Sequence, residues 1–195
     1  MKKEELSQLL SSKVKEEEKS VKKPRNLSEE DKKLNLQGGR YIIGKMVSSG
    51  MIGIVYLARD YKLEPFNGQC CIKMMMGEKM AEKNIFASIR RELQILMEIR
   101  KIKGCINLTN IYWNEESLNL VFPYYPKGDL YHHFKCRPGH TLPQNAVQKI
   151  ARQLVTSLVA LHKKGIIHRD IKPENILIDD DLEVFLSDFG FAIKK

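Results

Sequence analysis

The chain has 195 residues, 43% of them hydrophobic, which is enough for one domain with a core and a flanking tail. Its formal charge of +9 is mild and its basic and acidic residues are interspersed, so composition offers no nucleic-acid surface. Cys70, Cys71, Cys105 and Cys136 have neither metal-ligand spacing nor a secreted disulfide pattern, and no stretch reaches the ~20 apolar residues of a membrane span; reduced thiols in the cytoplasm or nucleus are expected.

Residues 1 to about 39 are rich in Lys, Glu and Ser. Met1-Lys2-Lys3-Glu4-Glu5 is neither a signal peptide nor a myristoylation site. Leu6, Leu9, Leu10 and Val14 recur at roughly helical spacing, which suits a short amphipathic helix. The remainder is too charged to fold alone, and Gly38-Gly39 reads as a linker. Lys22-Lys23-Pro24-Arg25 reads as a solvated charge run rather than an import patch. The expected organisation is a disordered tail over 1–39 and a domain over 40–195.

Within that domain, Tyr41 to Ser48 and Ile54 to Ala58 predict two strands across a glycine-containing turn, and Gln69 to Met75 predict a third. Ile85, Ile89, Leu93, Leu96 and Ile99 form one apolar face and predict a helix over 78–102. Leu108 to Trp113 and Leu118 to Phe122 predict a hairpin turned at Asn114-Glu115-Glu116-Ser117. Pro123 ends that strand, and Tyr124-Tyr125-Pro126-Lys127-Gly128 connects it to a short helix from Asp129 to Phe134. Residues 143–164 predict an amphipathic helix, with Pro143 in its first turn, Val147, Ile150, Leu154, Leu158 and Leu161 on one face, and Gly165 as its stop. Two short apolar runs, Ile166-Ile167 and Ile176-Leu177-Ile178, then frame a polar stretch. The class is α+β: a five-stranded antiparallel sheet with one helix, followed by a helical part.

The framed stretch is His168-Arg169-Asp170-Ile171-Lys172-Pro173-Glu174-Asn175, and Asp188-Phe189-Gly190 follows it. Together they resemble the catalytic loop and metal-binding motif of eukaryotic protein kinases of the Ser/Thr branch. Six matched positions in the first motif would arise by chance on the order of 10⁻⁸ times per start position. The fold that the resemblance implies is protein-kinase-like, with a complete small lobe and only the first part of the helical large lobe.

The chemistry implied is phosphoryl transfer, in which positioning and electrostatics supply most of the catalysis. Asp170 would orient the attacking hydroxyl and Lys172 would sit near the moving phosphoryl. Asn175 and Asp188 would supply oxygen ligands to Mg²⁺. Ser48-Ser49-Gly50-Met51-Ile52-Gly53-Ile54-Val55 resembles the glycine-rich phosphate loop, with Gly50 and Gly53 at the second and third glycine positions. Ser48 stands where the first glycine would be, a departure expected to weaken nucleotide closure rather than abolish it. Lys73, in Cys70-Cys71-Ile72-Lys73, matches the lysine that holds the α/β-phosphates. Its implied ion-pair partner is Glu92. Phe122, Pro123 and Tyr125 fall at the adenine-binding connector, and Asp129 where the ribose would be met. Val55, Cys71 and Leu177 would sandwich the adenine. Leu96, Leu108, His168 and Phe189 would stack as an internal column. His132, His133, His140 and His162 lack metal-ligand spacing.

The resemblance runs from residue 41 to 195, with a small lobe at about 40–122, a connector at 123–128 and a partial large lobe from 129. The family's activation segment and later helices are not found after Phe191-Ala192-Ile193-Lys194-Lys195. Ile150, Leu154, Leu158 and Leu161 would then be left wet, forfeiting roughly 1.5–3 kcal/mol each. That is comparable to a whole domain's stability of about 5–15 kcal/mol, so the chain is expected to be marginal, partly open, or dependent on a protein partner covering the 143–164 helix. Three readings follow. One is a Ser/Thr protein kinase using ATP and Mg²⁺ on a protein substrate, without nucleic acid or membrane. The second is an ATP-binding scaffold or regulatory piece of a kinase without transfer. The third is a gene fragment.

Overall fold

The computed structural model describes residues 35–36, 40–50, 53–63, 68–113 and 116–195. The helix considered at Leu6–Val14, the basic run at Lys22–Arg25 and the Gly38-Gly39 linker lie outside them, as do Asn114 and Glu115 of the expected hairpin turn. The chain divides into two compact units: Met1–Ala87 with Leu108–Tyr124, and Ser88–Asn107 with Tyr125–Lys195. The expected small lobe at 40–122 is therefore not one contact unit, because most of its helix and residues 100–107 group with the second.

The first unit is built on a six-stranded sheet of order β1-β2-β3-β4-β6-β5, with every pairing antiparallel. The strands are β1 (Asn35–Leu36), β2 (Tyr41–Ser49), β3 (Gly53–Asp60), β4 (Gln69–Met76), β5 (Asn110–Trp113) and β6 (Ser117–Pro123). Five were expected. The sixth, β1, adds two residues of the expected tail to the sheet edge opposite Tyr41 and Ile42, and two residues are too short to carry a readable alternation.

One face of the sheet buries Tyr41, Ala58, Cys70, Ile72, Tyr112 and Val121. Tyr41 and Tyr112 stack with centroids 5.6 Å apart, and the Asn110 amide donates to the Tyr41 hydroxyl at 2.8 Å. Arg40 grips the Asp60 carboxylate through two nitrogens, at 3.0 and 2.9 Å, which closes this end of the sheet with a charge-assisted fork. A helix, α1 (Gly77–Glu82), follows β4 directly. The continuous helix expected over 78–102 is broken here. Lys83 and Asn84 bond back onto Lys79 and Ala81, Asn84 turns to φ 48°, and α2 (Phe86–Ile99) begins afresh. Asparagine tolerates that left-handed conformation, which periodicity alone does not reveal.

The second unit holds α2 from Ser88 onward, α3 (Leu130–Lys135) and α4 (Gln144–Lys163). It also holds two small antiparallel pairs: β7 (Ile166–Ile167) with β10 (Ile193–Lys194), and β8 (Ile176–Ile178) with β9 (Val184–Leu186). Gly104, at φ 79°, brings the chain leaving α2 against α4. A Cβ there would lie 2.0 Å from the Ser157 hydroxyl oxygen, so only glycine fits.

The outward stripe of α4 is not the one expected. Ile150 and Leu161 are 5% and 0% exposed, and Leu154 and Leu158 are half-buried. The face left open carries Val147, Val155 and Val159, each about half exposed. The cause is Gln153, whose amide donates to the Leu182 carbonyl at 2.9 Å and accepts from the Val184 N–H at 3.1 Å. Those bonds turn the 150–153–157–161 stripe onto the β8–β9 hairpin. A helix with two apolar stripes has no single inward face to read from its sequence.

Candidate active site

In the first unit, antiparallel register places the candidate nucleotide residues on the sheet face opposite the Tyr41 cluster. Lys73 on β4 lies between Val55 of β3 and Leu120 of β6, and Cys71 lies between Leu57 and Phe122. Ser48 of β2 pairs with Val55. Side chains directly opposite one another, or two apart on a strand, share a face. Ser48, Val55, Cys71, Lys73 and Phe122 are therefore brought together, and Pro123, opposite Cys70, belongs to the other face. Lys73 is half-buried and engaged by neighbouring groups.

The two glycines of the turn differ in what they need. A Cβ on Gly53 would sit 2.5 Å from the Met74 carbonyl oxygen, so this glycine is fixed by the adjacent strand. A Cβ on Gly50 would meet nothing closer than 3.8 Å, and its N–H donates to the Gly53 carbonyl at 2.8 Å, closing the turn.

In the second unit, the loop between β7 and β8 folds around Asp170. Lys172 Nζ and Asn175 Nδ2 both donate to Asp170 Oδ2, each at 2.8 Å, and Asn175 Nδ2 also donates to the Asp170 carbonyl at 2.9 Å. Two donors thus saturate one carboxylate oxygen, and among the described residues none donates to Oδ1. Asn175 is tied in turn to the residue before Asp188: its carbonyl accepts from the Ser187 N–H at 2.8 Å and from the Ser187 hydroxyl at 3.0 Å. His168 completes the frame. Its Nε2 donates to the Ser187 carbonyl at 2.8 Å, and its Nδ1 accepts from the Asp170 N–H at 3.2 Å. Phe189 is fully buried with its ring 4.7 Å from that of His168, edge to face.

Asp188 adopts φ 56°, ψ 76°, and its Oδ1 accepts from the Gly190 N–H at 3.4 Å. A left-handed aspartate held in this way aims its carboxylate by constraint rather than by preference. Leu177 and Asp129 face each other across a backbone bridge. Asp129 is first of all the N-cap of α3. Its Oδ1 accepts from the His132 N–H at 2.8 Å and its Oδ2 lies 2.7 Å from His132 Nδ1, so any ribose hydroxyl would share it with that histidine. The Tyr125 ring packs on Phe185 at 4.6 Å. Glu92 is buried on α2, 8% exposed, and is engaged by neighbouring groups.

A family model described as protein kinase domain matches residues 41–195. The chain belongs to the protein kinase family. It is 34% identical over 155 residues to an Aurora kinase of Schizosaccharomyces pombe, covering 80% of this chain and 42% of the relative. It is 32% identical over 154 residues to CBL-interacting serine/threonine-protein kinase 12 of Arabidopsis thaliana, covering 79% of this chain and 30% of the relative. Aurora kinase B of Mus musculus is 30% identical over 151 residues, covering 77% of this chain and 42% of the relative. The chain thus spans well under half the length of these kinases.

The kinase-family loop has a marked electrostatic bias. Hydrogen bonds from Lys172 first, then Asn175, hold the Asp170 carboxyl below the usual carboxylate range, and Asp170 raises Lys172 reciprocally. Burial holds the His168 imidazole below its ordinary 6.5, so it is neutral at neutral pH, as its accepting Nδ1 requires. Burial pushes the Cys71 thiol up to about 11, which leaves an uncharged, weakly polar surface beside Lys73. Among the described residues no group of three His, Cys, Asp or Glu side chains converges, and no helix is long and apolar enough to cross a membrane.

A pH prediction follows from His168. The folded state disfavours its protonation, so between pH 6.5 and the lower folded value the unfolded chain binds more protons. The stabilisation is complete above about pH 6.5 and is lost as pH falls through the folded value. His168→Phe keeps the ring stack but strands the Ser187 carbonyl and the Asp170 N–H. Its melting temperature is expected below wild type at pH 7.5, and the two melting curves are expected to converge as pH falls below 6.5.

Ser187 is a framing residue of this loop that sequence reading passed over. Its backbone and hydroxyl join the Asp170 loop to the Asp188 turn, and its only signal was a small polar residue next to a motif.

Proposed function

We propose that this chain carries the phosphoryl-transfer machinery of a Ser/Thr protein kinase, moving the γ-phosphoryl of Mg-ATP to a protein hydroxyl. The observation that carries the reading is the Asp170 arrangement: one carboxylate oxygen held by Lys172 and Asn175, and the other left to accept a hydroxyl proton. Asp170 acts as the orienting base, and Lys172, at 2.8 Å, screens charge as the phosphoryl moves.

The residues proposed for Mg²⁺ fit a hard cation. Asn175 Nδ2 donates both its hydrogen bonds to Asp170, which leaves its amide oxygen as the outward ligand, and Asp188 offers a constrained carboxylate. A bound Mg²⁺ would neutralise the phosphates and orient them for in-line transfer. By the family resemblance, Lys73 of the first unit would hold the α/β-phosphates, and Val55, Cys71 and Phe122 of the same unit would line the adenine, with Pro123 meeting its edge through its carbonyl. Glu92, Leu177 and Tyr125, in the second unit, take the roles that resemblance implies for them. Ser48, Gly50 and Gly53 would cover the phosphates.

The test has two parts. A thermal melt with and without Mg-ATP asks whether the pocket exists, and transfer of ³²P to a generic basic protein asks whether chemistry occurs. Lys73→Met is expected to reduce transfer about 10²–10³-fold, the usual loss when one preorganised charge is removed. Undiminished transfer by that variant would overturn the assignment. Stabilisation by Mg-ATP with no transfer by wild type would leave a nucleotide-binding scaffold.

A further inference from the structure

The β8–β9 hairpin of the second unit alternates cleanly. Ile176, Ile178, Val184 and Leu186 are at most 3% exposed, and Leu177 and Phe185 between them are half-buried. Leu177 and Phe185 are directly opposite in the antiparallel register, so they stand side by side on the face turned away from that core. What meets Phe185 there is the connector that follows β6. The Tyr125 ring packs on the Phe185 ring with centroids 4.6 Å apart and planes tilted by 42°.

The connector is laid along this hairpin by its backbone as well. Pro126 restricts the residue before it, Tyr125, to extended conformations. The Gly128 N–H donates to the Tyr125 carbonyl at 3.0 Å, closing a turn that Gly128 completes at φ 69°. Past the turn, the Ile178 N–H donates to the Gly128 carbonyl at 2.9 Å, Asp129 bridges to Leu177, and Lys127 Nζ lies 3.3 Å from Asp180 Oδ1. Residues 127–129 are thus fastened to the hairpin by hydrogen bonds and charge. Ahead of the turn, at Tyr125, the hairpin is met through the rings.

We infer that Phe185 is a positioning residue for adenine: its ring braces Tyr125 beside Leu177, so that one hairpin sets both the connector N–H and the floor on which the base lies. That the Tyr125 N–H and Leu177 meet adenine is what the family resemblance implies, and this part rests on the phosphoryl-transfer reading above; the bracing of the connector does not. Phe185 carries no chemistry of its own and acts through Tyr125. Without its ring, the segment ahead of the turn loses its stop on the hairpin. A displacement of about 0.5–1 Å already takes an N–H donor out of hydrogen-bond range. The phosphates are assigned to other side chains, so their binding does not depend on the brace.

The test uses the full chain as wild type, Phe185→Ala and Phe185→Tyr, with two readouts. Calorimetric titration compares adenosine, Mg-ATP and Mg-tripolyphosphate. Phe185→Ala is expected to weaken adenosine and Mg-ATP about five- to ten-fold, the cost of one misaligned hydrogen bond, and to leave tripolyphosphate within about two-fold. Phe185→Tyr, which keeps a ring for Tyr125 to rest on, is expected to stay within about two-fold of wild type for all three. Hydrogen exchange by mass spectrometry is expected to quicken about five-fold over residues 124–129 in Phe185→Ala and to stay unchanged in α4. Adenosine binding that survives Phe185→Ala, tripolyphosphate weakened in step with it, or a Phe185→Tyr protein as poor as Phe185→Ala would overturn the role in placing adenine. Unchanged exchange over 124–129 would overturn the brace itself. A wild type that binds no adenosine would overturn the adenine role together with the kinase reading, while exchange still judges the brace. If Phe185→Ala does not fold, Phe185→Leu and Tyr125→Leu are read by the same criteria.

Discussion

Asp170→Asn is expected to lower phosphoryl transfer by about 10³-fold or more while leaving Mg-ATP stabilisation within about two-fold. The substitution is nearly isosteric, and Lys172 and Asn175 still find an oxygen at the position of Oδ2 if the new amide turns its nitrogen outward. The loop frame does not depend on the charge, because His168 and Asn175 also hold the Asp170 backbone, through its N–H and carbonyl. What changes is the group facing solvent. An oxygen able to accept the alcohol proton becomes an N–H₂ that cannot. The measurement is single-turnover ³²P transfer beside a thermal melt with Mg-ATP. A variant retaining a tenth of wild-type turnover would mean that Asp170 does not orient the nucleophile, whatever else it binds.

How much of this was legible in the letters differs by element. The Asp170 loop was recognisable because its residue types and order match a family motif, while the contact of Lys172 and Asn175 with one oxygen of Asp170 is a structural finding. The sheet was readable from alternation, and its register then fixes that Val55, Lys73, Cys71 and Phe122 share a face. The break at Asn84 was not readable, because Ile85 continues the apolar period of α2 while the backbone has already reversed. The inward stripe of α4 was misjudged for a related reason. Val147, Val155 and Val159 are as apolar as Ile150 and Leu161, and the choice between stripes is made by the hydrogen bonds of Gln153 to a hairpin 29 and 31 residues away. Hydrophobic pattern states that a helix has an inside; long-range polar contacts state which side it is. Ser187 shows the same limit, since a backbone carbonyl that receives His168 leaves no trace in residue identity.

Phe189→Ala is expected to cost about 3–5 kcal/mol, the largest stability loss of any single change considered. Phe189 is fully buried, and its ring packs edge to face on His168, which is itself 1% exposed. Truncation leaves a cavity under the imidazole, and His168 is the residue that spans the Asp170 N–H and the Ser187 carbonyl. Against a domain stability of about 5–15 kcal/mol, a loss of this size threatens the second unit as a whole. The informative variant is therefore paired with Phe189→Leu, which refills most of the volume and is expected to lose less than about 1.5 kcal/mol. Urea titration followed by probes placed in each unit measures the loss. It is expected to appear first in the second unit, because the ring contact that is removed lies within it. A Phe189→Ala protein as stable as wild type would mean that the His168 frame stands without its support. The coupling argued here between the Asp170 loop and the Asp188 turn would then rest on Ser187 alone.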